Sequence, residues 1–165
     1  MYTVVSEIRG WLHSMGIYDY DICDGVVHAV GDVTINSGLG LTSIPVQFGY
    51  VSGDFFCRAN DLESLEGCPN EVGGRFSCYD NDLVSLVGGP TEVGGDFLCG
   101  GNNLGSLEGC PSEVGGSFYC DSNNLTSLEG CPSEVGGDFN CSNNMFKAKP
   151  DFSNIKIGGT LYVGG

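Results

Sequence analysis

A Phe-x-Cys-x-x-Asn motif returns five times along this chain at an unbroken spacing of 21 residues. Its cysteines are Cys57, Cys78, Cys99, Cys120 and Cys141, and its asparagines are Asn60, Asn81, Asn102, Asn123 and Asn144. A period held this strictly means that each unit is one coil of a solenoid, because only stacked equivalent rungs need the same residue at the same offset. The fullest unit reads G-G-x-F-x-C-x-x-N-x-L-x-S-L-x-G-C-P-x-E-V, and four clean copies fill residues 53–136. A fifth begins at Gly137 and drifts after Asn144, while residues 31–52 form a degenerate first copy one residue longer. Leu161 and Val163 stand at the Phe and Cys offsets of a last partial unit.

The alternation in Phe-x-Cys predicts a short strand with one face buried. Stacked coils place such strands in parallel, about 4.8 Å apart, so equivalent side chains form ladders. Phe55, Phe76, Phe97, Phe118 and Phe139 make one inward ladder and the cysteines another, with Leu62, Leu65 and their copies filling the remainder. The asparagines mark the turn out of the strand, where a side-chain amide satisfies backbone groups at the corner. Phe76, Cys78, Asn81, Phe97, Cys99 and Asn102 typify this framework. The G-C-P and V-G-G segments read as the other corners, Pro fixing φ and Gly permitting positive φ. The fold class expected is mainly β: a parallel β-solenoid over residues 31–145, with a core about six coils high.

Both ends differ from the repeat. Residues 3–15 put Val4, Ile8, Trp11, Leu12 and Met15 on one side of a helix, which predicts a cap laying Trp11 over the first coil. That helix is too short and polar to span a membrane and lacks a signal-peptide core. Asp24-Gly25, between Tyr20-Asp21-Ile22 and Val26-Val27-His28, signals a hairpin turn. Residues 1–30 are therefore an N-terminal cap of helix plus hairpin, and 146–165 an irregular C-terminal coil and last strand. The strand-like Leu161-Tyr162-Val163 leaves an edge open to self-association.

A net charge of −15 with six Lys and Arg argues against nucleic acid or anionic membrane as partners held through phosphate contacts. Nine cysteines are an odd count, and eight occupy repeat positions, Cys68, Cys110 and Cys131 forming a second ladder with Gly89 in its missing slot. Neighbours on parallel strands aim their Cβ atoms alike and cannot pair, so these thiols are expected free and buried, in a reducing cytosol. Thiols strung along a line do not converge on a metal. The glutamate ladders, Glu71 to Glu134 and Glu66 to Glu129, repeat one environment, whereas acid–base catalysis needs two. Cys23 and His28 lack a third residue to orient the base. No cofactor, metal or enzymatic activity is expected.

The run F-x-C-x-x-N-x-L-x-S-L resembles the leucine-rich repeat consensus, with Phe and Cys in the strand positions. The wording S-L-E-G-C-P-x-E-V-G-G-x-F-x-C-x-x-N-N-L, with the leader from Gly31 to Phe55, is similar to repeat proteins encoded by tailed bacteriophages. The resemblance covers roughly residues 20 to 145. It implies a solenoid of leucine-rich-repeat type that binds a protein through its strand face.

The units also differ among themselves, and they differ at the outward strand positions. These are Asp54, Phe56, Arg58; Arg75, Ser77, Tyr79; Asp96, Leu98, Gly100; Ser117, Tyr119, Asp121; and Asp138, Asn140, Ser142. Stacking would gather Phe56, Tyr79, Leu98 and Tyr119 into an apolar patch flanked by Arg58 and Arg75, the composition of a protein-binding hot spot. The function expected is a non-enzymatic recognition module engaging a host or phage protein. Three rivals stand beside it: an acidic mimic of nucleic acid, a virion component assembling through its C-terminal edge, and a sponge for small nucleotides. The last would draw on Arg58 and Arg75, or on Lys147, Lys149 and Lys156.

Overall fold

The structure is a computed structural model and describes residues 1–164. The chain winds as a mainly parallel β-solenoid behind a single helix, α1 (Val5–Ser14). The Phe-x segments form one strand per coil: β3 (Val33–Thr34), β5 (Phe55–Phe56), β7 (Phe76–Ser77), β9 (Phe97–Leu98), β11 (Phe118–Tyr119), β13 (Phe139–Asn140) and β15 (Leu161–Tyr162). They hydrogen-bond in sequence order as a seven-stranded parallel sheet, so the stack has seven coils where the sequence reading counted about six.

Each coil holds a second strand where a corner was expected. The Glu-Val segments form β6 (Glu71–Val72), β8 (Glu92–Val93), β10 (Glu113–Val114) and β12 (Glu134–Val135), continued by β14 (Lys156–Ile157). Upstream lie β1 (Tyr20–Cys23), β2 (Val26–Ala29) and β4 (Gln47–Val51), which complete an eight-stranded sheet. In each Glu-Val pair the Val is buried in the core and the Glu points away. Unlike Phe-x-Cys, the Glu-Val pair runs straight into Gly-Gly, so no third residue completes an alternation that would reveal the strand.

The Gly-Gly pairs, too, serve a purpose other than the one their sequence implied. Positive φ falls instead on the glycine of the G-C-P turn (Gly67, Gly88, Gly109, Gly130) and on the second residue after each repeat cysteine: Ala59, Asp80, Gly101, Ser122 and Asn143. The first glycine of each pair is needed for contact: a Cβ on Gly94, Gly115 or Gly136 would run into the backbone carbonyl of the equivalent glycine one coil earlier. Glycine is there so that two backbones can touch.

Ala59 sits at φ 53°, where a Cβ costs about 1–2 kcal/mol. Ala59→Gly should therefore stabilise the fold by about 1 kcal/mol despite the added entropy of the unfolded chain. A raised urea midpoint at unchanged m-value would show it.

The core is a column of rings. Phe55, Phe76, Phe97, Phe118 and Phe139 are fully buried, with centroids 5.2 to 5.9 Å apart. The column extends beyond the repeat: Phe48 packs on Phe55 at 5.2 Å, Trp11 on Phe48 at 6.5 Å, and Phe152 on Phe139 at 5.8 Å. Each buried Phe contributes about 1.5–3 kcal/mol. At the N-terminal end Ile8 and Leu12 are fully buried and Trp11 partly so, while Val4 lies outside the helix and exposed.

The hairpin forms as its turn signal predicts, with Asp24 and Gly25 at φ 51° and 81° between antiparallel β1 and β2. It is part of the solenoid, because β2 pairs in parallel with β4. The register slips between Val27 and His28, from Phe48 to Tyr50, so Gly49 bulges out and absorbs the extra residue of the first coil. A Cβ on Gly49 would meet His28 Cε1 at 2.6 Å.

Candidate protein-binding face

Three columns of side chains face outward from the seven-stranded sheet. They begin at Asp54, Phe56 and Arg58 and advance one coil at a time, but they differ in how free they are.

The first column varies in sequence, yet it is a structural ladder. Asp54 Oδ1 accepts the Arg75 backbone N–H at 2.7 Å, Asp96 Oδ1 that of Ser117 at 2.7 Å, and Asp138 Oδ1 that of Thr160 at 2.7 Å. Ser117 does the same with its hydroxyl for Asp138, at 3.0 Å. Each side chain thus closes a backbone group of the following coil. The recurrence of Gly-Gly-Asp-Phe at 94–97 and 136–139 was the available signal. At Asp54, burial raises the carboxyl but the backbone and guanidinium bonds from Arg75 outweigh it, leaving it below its ordinary 3.8.

The middle column carries Phe56, Ser77, Leu98, Tyr119 and Asn140 as successive paired residues. Phe56, Leu98 and Tyr119 are half-buried. Ser77, expected to point into solvent, is only 4% exposed between the larger side chains of its column.

In the outer column Arg58 and Tyr79 are exposed, Tyr79 at 38%. Gly100 is buried, and a Cβ there would meet Tyr79 Cε2 at 2.7 Å and Asp121 Oδ1 at 2.8 Å. The Tyr79 ring therefore lies along the next coil, and Gly100 is the space it needs rather than a drifted surface position. Burial, then the charges of Asp121 and Asp80, push the Tyr79 phenol above its ordinary value.

Arg58 and Arg75 converge on one ring. Their guanidinium carbons stand 5.9 and 5.5 Å from the Phe56 centroid, within cation–π range. Arg75 is also tied to Asp54 through Nε at 3.0 Å and Nη2 at 2.8 Å. The six residues expected to bind thus share one face: Phe56, Arg58 and Arg75 in contact, Tyr79 beside them, and Leu98 paired with Tyr119 above.

The framework behind that face is closed. Phe76, Cys78, Phe97 and Cys99 are fully buried and Asn81 and Asn102 are 7% exposed. Asn102 Oδ1 accepts the Leu83 N–H at 3.0 Å, and its Nδ2 donates to the carbonyls of Cys78, Cys99 and Gly100 at 3.1, 3.2 and 3.1 Å. All nine cysteines are free thiols. Burial pushes Cys78, Cys99 and Cys120 far above the ordinary thiol value, and Cys141 to about 11. At Cys57 the contact with Cys68 is the larger cause, followed by burial. Such thiols are poor nucleophiles.

Elsewhere, Cys23 and His28 stand two register steps apart on the hairpin, paired with Val26 and Asp21. Among the described residues no group of three or more His, Cys, Asp or Glu could hold a metal ion. Among the same residues, no helix is long and apolar enough to cross a membrane. Lys156 is paired with Glu134 at 2.6 Å. Lys149 lines an open cleft of about 510 Å³ beside Phe146, Cys141 and Leu161. No protein family, curated protein or solved structure matches the chain.

Proposed function

We propose that this chain is a non-enzymatic recognition module that binds a protein partner through the face carrying Phe56, Tyr79, Leu98 and Tyr119. The observation that supports this most is the outward ridge of aromatic and apolar side chains, bordered by two arginines, on a sheet whose other outward repeat positions are mostly Asp, Ser and Asn, with the exposed Tyr162 at its C-terminal edge. Interface hot spots are built from such residues. The sequence resemblance to phage-encoded leucine-rich-repeat proteins supports a host or phage protein as the partner.

A second reading, mimicry of nucleic acid, draws on the exposed glutamates of the opposite sheet, where Glu71 pairs in register with Glu92 and Glu113 with Glu134. Their spacing of about 4.8 Å is wider than the roughly 3.4 Å per phosphate of one DNA strand. Lys156 also neutralises the end of the row. The aromatic face is the stronger basis.

The test is affinity capture from bacterial lysate on immobilised chain, with calorimetry on whatever is retained. Tyr79→Ala with Tyr119→Ala should weaken binding about a hundredfold, as loss of two hot-spot rings would, and added salt should change it little. Retention unaffected by the double substitution, but lost with Glu92→Gln and Glu113→Gln or at 0.5 M salt, would transfer the function to the glutamate sheet.

A further inference from the structure

The two arginines on Phe56 are chemically unequal. Arg75 spends its guanidinium on Asp54, with two bonds to Oδ2. Arg58 is exposed and enters neither of the two ion pairs among the described residues. Its position is nonetheless defined, since its guanidinium lies over the Phe56 ring. In a chain of net charge −15 with six basic residues, the recognition face thus holds one uncompensated cation on an aromatic floor.

The complement of that cation is an anion, and the surroundings set its charge. With Arg75 neutralised, Arg58 leaves a single positive charge, and the nearby phenol of Tyr79 already feels Asp80 and Asp121. A phosphate of charge near −2 would gain one ion pair and face those carboxylates besides. A carboxylate carries one charge, matches the planar guanidinium with two parallel bonds, and brings a chain whose neighbours can cover the rings.

Building on the recognition reading above, we propose that Arg58 anchors an acidic, apolar-flanked segment of the partner protein. An Asp or Glu of that segment docks on the guanidinium while its apolar neighbours lie on Phe56 and Tyr79.

The test is selection of random dodecapeptides displayed on yeast, at 0.15 M salt, against the full chain and its Arg58→Glu, Arg58→Gln and Tyr79→Ala/Tyr119→Ala variants. Circular dichroism checks that each variant is folded. Peptides selected on the unaltered chain should carry Asp or Glu beside Leu, Phe or Tyr, and Arg58→Glu should weaken them at least tenfold. Changing that acid to its amide should cost about tenfold on the unaltered chain and less than twofold on Arg58→Gln. Selection on Arg58→Glu should put Lys or Arg at the same place.

Selected peptides without an acid, held within twofold by Arg58→Glu yet lost by the double tyrosine variant, would sink the anchor and leave the recognition face standing. Peptides indifferent to every variant, or no enrichment at all, would overturn both. A phosphoserine in place of the acid that binds tenfold tighter would overturn the carboxylate assignment.

Discussion

Replacing Asn102 with Leu is expected to lower the unfolding free energy by about 4 kcal/mol. Leucine keeps the branching of asparagine but is bulkier, so lost hydrogen bonds and crowding in the closed corner act together. Asn102 is the acceptor for the buried Leu83 N–H and a donor to the Cys78 carbonyl of the preceding coil as well as to two carbonyls of its own. Leucine supplies none of these: the buried Leu83 N–H is left without a partner, at about 1–3 kcal/mol, while the Cys78, Cys99 and Gly100 carbonyls lose one bond each but keep those from Asn81, Asn123 and Asp80. Asn103, its exposed neighbour, is the control: Asn103→Ala should stay within about 0.5 kcal/mol. Urea denaturation followed by circular dichroism measures both. A loss below 1 kcal/mol at Asn102 would mean that water enters the corner and replaces the amide.

The second large effect is expected at Gly115. A methyl there points at the Gly94 backbone carbonyl of the coil before, and a backbone atom cannot turn aside as a flexible side chain would. The coils must separate locally, stretching the parallel pairing of β8 with β10. Gly115→Ala should cost about 3 kcal/mol, the upper end of overpacking penalties. Gly105 offers the contrast within the same coil, since a Cβ on it meets nothing within 4 Å. Gly105→Ala should be neutral or stabilise by about 0.5 kcal/mol through the unfolded chain. Because a solenoid couples only neighbouring coils, the Gly115 variant should also unfold less cooperatively, seen as a broader transition with a smaller m-value.

Much of this was legible in the residues. Phe97 and Asn102 recur at one offset, and a strict period admits no architecture but a stack, so the inward ladders and the hairpin at Asp24-Gly25 could be read directly. What escaped has a common physical cause. Glu92-Val93 runs into Gly94-Gly95, so no further side chain completes an alternation as Cys99 does after Phe97. Gly94-Gly95 signals conformational freedom locally, while its real reason is a carbonyl of another coil. Asp96 looked like free surface because its partner, the Ser117 amide, is 21 residues away. Interactions between coils do not appear in the sequence of any single coil. The six residues of the candidate face were identifiable by their variation, but the inequality of Arg58 and Arg75 required the position of Asp54. So did the status of Gly100, which only the Tyr79 ring explains.

The asparagine bonds that leave their own coil all run one way. Asn81, Asn102, Asn123 and Asn144 each accept from, and donate to, the coil made before them: Leu62 and Cys57, Leu83 and Cys78, Leu104 and Cys99, Leu125 and Cys120. A ribosome adding about 5–20 residues per second delivers 21 residues in roughly 1–4 seconds, while local strand pairing takes on the order of microseconds. Every newly emerged turn therefore has ample time to lock its predecessor. The direction of these bonds suits a chain whose turns close in the order in which they are made.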